Sequence, residues 1–196
     1  MHKSHRDTIE LEDAEIISQQ AFDGDQYILR LQAPACAATA RAGQFAHLSC
    51  DPALAMRRPL SIMRVDPDSG WVDFLYKAVG EGTRLLSRRQ TGQTISVLGP
   101  IGQPFTPHPE RPRSLLLGGG VGMPPMLFLA EHLKQTSDFA PLVLLGSEVP
   151  FPFRHQPSRI RLPGIPDGVI GSMALLEDWG IPSRLASLQG YPGCYE

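Results

Sequence analysis

The chain has 196 residues, 42% of them hydrophobic, and a net charge of −2. That length suits one large domain or two small ones, and two is the expectation; the balanced charge gives neither a nucleic-acid-binding surface nor a disordered, highly charged chain. Met1 to Glu15 is polar and lacks the apolar core of a secretion signal, and no apolar run approaches a membrane span, so the cytoplasm is the expected location.

Three scattered cysteines, Cys36, Cys50 and Cys194, suit neither a disulfide framework nor the four thiolates of an ordinary iron–sulfur cluster. His2 and His5 stand in a terminus expected to fray, and His47, His108, His132 and His155 are isolated, so no metal site is expected. Neither a Gly-x-Ser-x-Gly elbow nor a Cys/His pairing points to hydrolysis.

From Thr8 to Gln20, Ile9, Leu11, Ile16 and Ile17 sit among charges with an out-of-phase step near Asp13-Ala14, which predicts one bent strand or two short ones. Asp23-Gly24-Asp25 reads as a tight turn into a half-buried strand, with Tyr27, Leu29 and Leu31 on one face. Pro34 to Gly43 is small and turn-like, and Gln44 to Ser49 is a further strand. After the Asp51-Pro52 turn, Ser61 to Val65, Trp71 to Lys77 and Thr94 to Leu98 complete six strands, with a turn over Asp66 to Gly70. Short strands at regular spacing predict an antiparallel barrel.

Two stretches in this half carry chemistry. In Arg57-Arg58-Pro59-Leu60-Ser61-Ile62 a planar guanidinium offers paired donors to a phosphate, proline presets the backbone, and alternation turns one side chain inward and the next outward. The stretch suits an anionic ligand with a flat polar ring; read alone, it is more simply a turn entering a strand with two solvated arginines. In Gly80-Glu81-Gly82-Thr83-Arg84-Leu85-Leu86, Thr83 is expected to cap a short helix. The glycines at 80 and 82 would let a phosphate approach the main chain.

Leu98-Gly99-Pro100-Ile101-Gly102 closes the first domain, expected over residues 1–105, and the proline-rich segment 106–112 reads as a linker to a second over 113–196. Ser114 to Leu117 is wholly apolar, as a buried parallel strand would be. Gly118-Gly119-Gly120-Val121-Gly122 follows, then Met123-Pro124-Pro125 and a helix whose face carries Met126, Leu129, Ala130 and Leu133. Ala140 to Leu145 makes a second strand, and hence a βαβ unit with a glycine turn able to bind a pyrophosphate. The usual Gly-x-Gly-x-x-Gly fingerprint would need glycine where Pro125 stands. Beyond Ser147 the pattern fades, apart from a short helix over Ser172 to Trp179; no third apolar strand is evident, and the domain reads as unfinished at Glu196.

In their order and spacing, Arg58-Pro59-Leu60-Ser61, Gly80-Glu81-Gly82-Thr83 and Gly119-Gly120-Val121-Gly122-Met123-Pro124-Pro125 resemble the ferredoxin reductase-like flavoproteins. Within them the pattern is most similar to the electron-transfer subunits of dihydroorotate dehydrogenase, over residues 8 to 147. The resemblance implies an antiparallel Greek-key β-barrel that binds FAD, followed by an incomplete parallel α/β domain for NAD(P)H. It implies that Arg58 holds the FAD pyrophosphate, with Pro59 and Leu60 beside it and Ser61 near the reactive nitrogen of the flavin. Leu75, Tyr76 and Lys77 would flank the ring, and Gly82 and Thr83 would form the phosphate turn. Gly118, Gly119, Gly120, Val121, Gly122, Met123, Pro124 and Pro125 would cradle the NAD(P) pyrophosphate. The implied reaction is hydride exchange between nicotinamide and flavin, with electrons passed to a partner oxidoreductase subunit and no catalytic side chain required. The alternative is a flavin-binding module without catalysis of its own. NAD and NADP are not distinguished. The four-cysteine cluster of relatives has no counterpart among three cysteines.

Overall fold

A computed structural model of the protein describes residues 9–135 and 138–195. His2, His5, Thr8 and Glu196, named above, lie outside the described residues. Six strands form the first half: β1 (Glu10–Phe22), β2 (Gln26–Gln32), β3 (Phe45–Leu48), β4 (Arg58–Asp66), β5 (Trp71–Lys77) and β6 (Thr94–Ile101). They close into a barrel in the order β1-β2-β5-β4-β3-β6, and every pair is antiparallel. β3, β4 and β5 are successive neighbours while β6 returns beside β3, which is a Greek key.

β1 resolves the two readings of its sequence: it is one strand of 13 residues serving two neighbours. Glu10 to Glu15 pairs with β6, Glu15 to Phe22 with β2, and a bulge between Ile16 and Ser18 bends it around the barrel. Ala14, Ile16, Leu29, Leu31, Val72, Phe74 and Val97 are fully buried in the interior. Pro34–Thr39, expected as turn, is instead a helix, α1, opened by its proline. The Glu12 carboxylate accepts from the Ala35 and Cys36 N–H groups at 3.1 and 2.7 Å. Burial of α1 against the barrel pushes the Cys36 thiol up to about 12, with a smaller push from Glu12.

The second half contains β7 (Leu115–Gly119), a 3-10 turn (Gly120–Gly122), α3 (Met123–Lys134), β8 (Leu142–Ser147), β9 (His155–Pro157), β10 (Gly171–Met173), α4 (Ala174–Asp178) and β11 (Ser183–Ser187); α2 (Glu81–Leu86) lies between β5 and β6. A third parallel strand does exist, contrary to the sequence reading: the order is β11-β8-β7. Ser183-Arg184-Leu185-Ala186-Ser187 hid it because its polar residues are buried rather than turned to water. Met123, Leu127, Ala130 and Leu133 of α3 cover the face that carries Leu116, Val143 and Leu145. The expectation that β7 is buried on both faces fails, since Leu115 and Leu117 are 56% and 61% exposed on the other side.

Candidate functional site

The two arginines of the opening motif do different work. Arg57 turns to β6, where its Nη1 donates to the Ser96 carbonyl at 2.9 Å and its Nη2 to Ser96 Oγ at 3.0 Å. Arg58 spends Nη1 on the carbonyls of Met56 and Arg57, at 2.8 and 3.3 Å, and has no carboxylate partner among the described residues. Its guanidinium lies on the main chain of Gly82, where an added Cβ would come within 2.7 Å of Nε. The glycine is therefore needed for a side chain to lie over it, not for its own backbone.

The Gly80 turn differs from its sequence reading by three residues. The helix starts at Glu81 with Gly80 as N-cap, and Thr83 stands inside it, where Oγ1 accepts from the Gly80 N–H at 3.1 Å. Thr83 failed as a cap because Gly80 already supplies the extended conformation that a cap needs. The far end of α2 is anchored by Gln19, whose Nε2 donates to the carbonyls of Leu86, Ser87 and Arg89 at 3.1, 3.2 and 2.9 Å. Gln19 Oε1 accepts from the Tyr76 hydroxyl at 2.9 Å. Tyr76 stacks on Tyr27 with ring centres 5.3 Å apart, and burial raises its phenol, which stays protonated. Through this one amide, β1 holds both the strand and the helix that bound the cleft described next.

That cleft, of about 420 Å³, brings together Pro59, Leu60 and Ser61 of β4, Leu75, Tyr76 and Lys77 of β5, Val79, Thr83 of α2 and Val121 of the glycine turn. Its walls are mainly apolar with a few hydroxyls and one cation, which suits a flat heteroaromatic ring. A second crevice, of about 540 Å³, opens at the carboxyl ends of the parallel strands. Gly119, Gly120 and Val121 line it from β7 and its turn, Gly146 to Val149 from the end of β8 and the loop after it, and Ala186, Ser187 and Leu188 from the end of β11 and just beyond, while Gln26 and Lys77 reach in from the barrel. Crevices at this end of a parallel sheet are where such folds hold ligands. Lys77 and Val121 line both spaces, so the two meet there.

The remaining residues of the glycine segment lie elsewhere. Gly118 is buried, and a Cβ on it would come within 3.0 Å of the Met123 main chain, so it lets strand and helix pack closely. Met123 and Pro124 are buried in α3, Pro125 is half-buried, and Gly122 faces open space. Gly120 adopts φ +50°, a left-handed conformation that glycine favours. Sequence reasoning missed Val79, Gln26, Glu148, Val149 and the β11 residues of these spaces. Their signal was position alone, at strand ends that converge only in the fold. Among the described residues no cluster of His, Cys, Asp and Glu suits a metal ion, and all three cysteines are free thiols.

An antiparallel barrel with an apolar slot beside Arg58, abutting a parallel sheet with a glycine turn, is the two-unit fold of ferredoxin reductase-like proteins. The family model described as the oxidoreductase FAD-binding domain matches residues 8–105, and the chain belongs to that family. Similar proteins include a dihydroorotate dehydrogenase B (NAD(+)) electron transfer subunit of Shouchella clausii, 38% identical over 125 residues, covering 61% of this chain and 48% of the relative. A subunit of the same name from Desulforamulus reducens is 34% identical over 125 residues, covering 62% and 47%. The chain thus spans about half the length of the curated relatives it matches. Among solved structures, an NADH-dependent reduced ferredoxin-NADP oxidoreductase superposes with a TM-score of 0.72 at 23% identity, covering 93% of this chain and 59% of that one. At that identity the likeness shows the fold.

FAD is the cofactor of this barrel family, and the residues present fit it. The slot is apolar and open at Val121, and Arg58, with no carboxylate partner among the described residues, brings a cation to the main chain of Gly82, which carries no side chain. No described helix is long and apolar enough to cross a membrane.

Proposed function

We propose that the chain is the electron-transfer component of a two-part oxidoreductase, exchanging hydride between NAD(P)H and FAD and passing electrons on to a partner subunit; its relatives are named electron transfer subunits of an NAD(+) dihydroorotate dehydrogenase. The observation that carries this reading is the meeting of the slot and the crevice at Val121 and Lys77. The chemistry that bound FAD supplies is two-electron oxidation of a reduced nicotinamide. The chain's own residues bind and orient. Arg58, lying over Gly82, takes the FAD pyrophosphate as a charge-assisted fork, and Leu60, Leu75 and Val79 flank the ring. Ser61 presents a hydroxyl to the ring's polar edge, and Gly119 and Gly120 let the dinucleotide approach the β7 backbone. Gly118, Met123 and Pro124 support that turn from below rather than touching the ligand.

The flavin unit ends at residue 105, a linker covers 106–112, and the dinucleotide unit starts at 113. The setting is cytoplasmic, with a partner protein and neither nucleic acid nor membrane. The test is an absorption spectrum of the purified chain, anaerobically, before and after NADH or NADPH. A yellow protein bleached by either is expected; a colourless protein that takes up no added FAD would overturn the proposal. The exposed outer side of β7, where Leu115 and Leu117 stand, favours a second reading, a flavin module whose dinucleotide unit does not act alone. A yellow protein unmoved by both nucleotides would select it.

A further inference from the structure

The parallel sheet is held to the barrel by a contact that belongs to neither cleft. Arg64 of β4 stands just past a register shift between Ile62 and Arg64 in the pairing with β5. Such bulges re-aim side chains, and this one accompanies an arginine that leaves the barrel for α3. Its Nη2 lies 2.7 Å from Glu131 Oε1 and its Nε 3.1 Å from Oε2, a two-point pair. The two side chains are only 23% and 20% exposed, so solvent screens them less than an ordinary surface pair.

The same guanidinium stands near two indoles, 5.6 Å from the ring centre of Trp71 and 5.2 Å from that of Trp179. Both distances are within reach of a cation–π attraction. Arg30, paired with Asp73 at 2.7 Å, lies over Trp71 at 3.8 Å, and Lys134 lies 5.4 Å from the Trp179 ring. The barrel thus contributes Arg30, Trp71 and Arg64, and the second unit contributes Glu131, Lys134 and Trp179. Cations and rings alternate across the junction.

Each side of the pair sits on an element that bounds a cleft. β4 begins with Arg58 and carries Ser61, three residues before Arg64, and α3 follows directly on the turn that ends at Gly122. Arg64 and Glu131 line neither space. We propose that the Arg64–Glu131 pair, held between Trp71 and Trp179, is the positioning device that sets the two clefts against each other at Val121 and Lys77. The inference rests on the reading of those clefts as flavin and dinucleotide sites. Transfer between two rings depends steeply on their alignment, and a misplacement of about 1 Å can cost roughly a hundredfold in rate.

The chain carries its own reporter, because Trp71 and Trp179 are its two tryptophans. Arg64→Met keeps much of the side chain's length and removes its charge; Glu131→Gln keeps the shape and weakens the pair. In both variants of the full chain, acrylamide should quench tryptophan fluorescence more strongly than in the parent. Bleaching by saturating NADH should slow about tenfold or more, while flavin content per chain stays at the parental level. Arg64→Lys, which keeps a cation between the rings, should recover part of the rate. Unchanged quenching in Glu131→Gln would overturn the junction itself. Parental bleaching rates well below a lowered melting temperature would reduce the pair to a stabilising contact and overturn its positioning role. A parent that holds flavin but is not bleached would overturn the two-cleft reading instead, and quenching would still test the junction.

Discussion

In the barrel every strand has a hydrogen-bonded neighbour on each side, and Leu29, Leu31, Val72 and Phe74 point into a fully buried interior. In the parallel sheet β7 is an edge among the described residues, and it turns Leu115 and Leu117 outward. The first unit closes over its own apolar surface. The second covers one face with α3 and leans on the barrel through Arg64 and Glu131, and through Gln26, whose Nε2 donates to the Pro150 carbonyl at 2.7 Å. Closure makes the barrel's core the dominant source of stability, so the sharpest way to break the comparison is to open a cavity there. Phe74→Ala removes a fully buried ring and should cost about 3–5 kcal/mol, read from urea unfolding with bound flavin lost in the same transition. A loss below about 1 kcal/mol would mean that the barrel is not the packed unit described.

The next effect separates binding from stability. Alanine at Gly82 places a methyl group 2.7 Å from Arg58 Nε, and the flexible arginine can swing away at little cost to the fold. The guanidinium then leaves the spot proposed for the pyrophosphate. Charge-assisted hydrogen bonds contribute about 1.5–3 kcal/mol, so FAD affinity should fall roughly 10- to 100-fold while the melting temperature of the apoprotein barely moves. Arg58→Ala should match it, and the double variant should add little, because both remove the same contact. Additive losses would show that Gly82 acts on the ligand independently of Arg58.

These two regions also differ in how far they could be read from the chain. Tyr27 to Leu31 announces itself because a barrel strand with one buried face must alternate, Trp71 to Lys77 because it is rich in aromatic and β-branched residues although Val72 to Tyr76 are all buried, and Asp23-Gly24-Asp25 and Asp66 to Gly70 carry local turn chemistry. α1 escaped notice because Pro34-Ala35-Cys36-Ala37 has no bulky periodic face, and its first N–H groups are satisfied by Glu12, far along the chain. β11 escaped because Ser183 and Arg184 are polar yet buried, and what makes them a strand is a parallel pairing with β8 that no local pattern encodes. The site divides in the same way. Arg58 and Gly82 stand in recognisable motifs, but the use of Arg57 on Ser96 is a contact across the sheet. Val79, Glu148 and Leu188 are brought to their clefts only by convergence of distant elements.

The smallest expected effect tests the open side of the comparison on consecutive residues of one strand. Leu116 is 5% exposed beneath α3, and Leu116→Ala should cost about 2–5 kcal/mol. Leu117 is 61% exposed on the opposite face, and Leu117→Lys should stay within about 0.5 kcal/mol of the parent. Because the period of a strand is two residues, the two substitutions sample opposite sides of the same sheet at nearly the same place. Were Leu117→Lys to cost as much as Leu116→Ala, the outer face would have to be buried in solution. Repeating the unfolding at several protein concentrations would then tell a second copy, whose cover dissociates on dilution, from cover supplied within the chain.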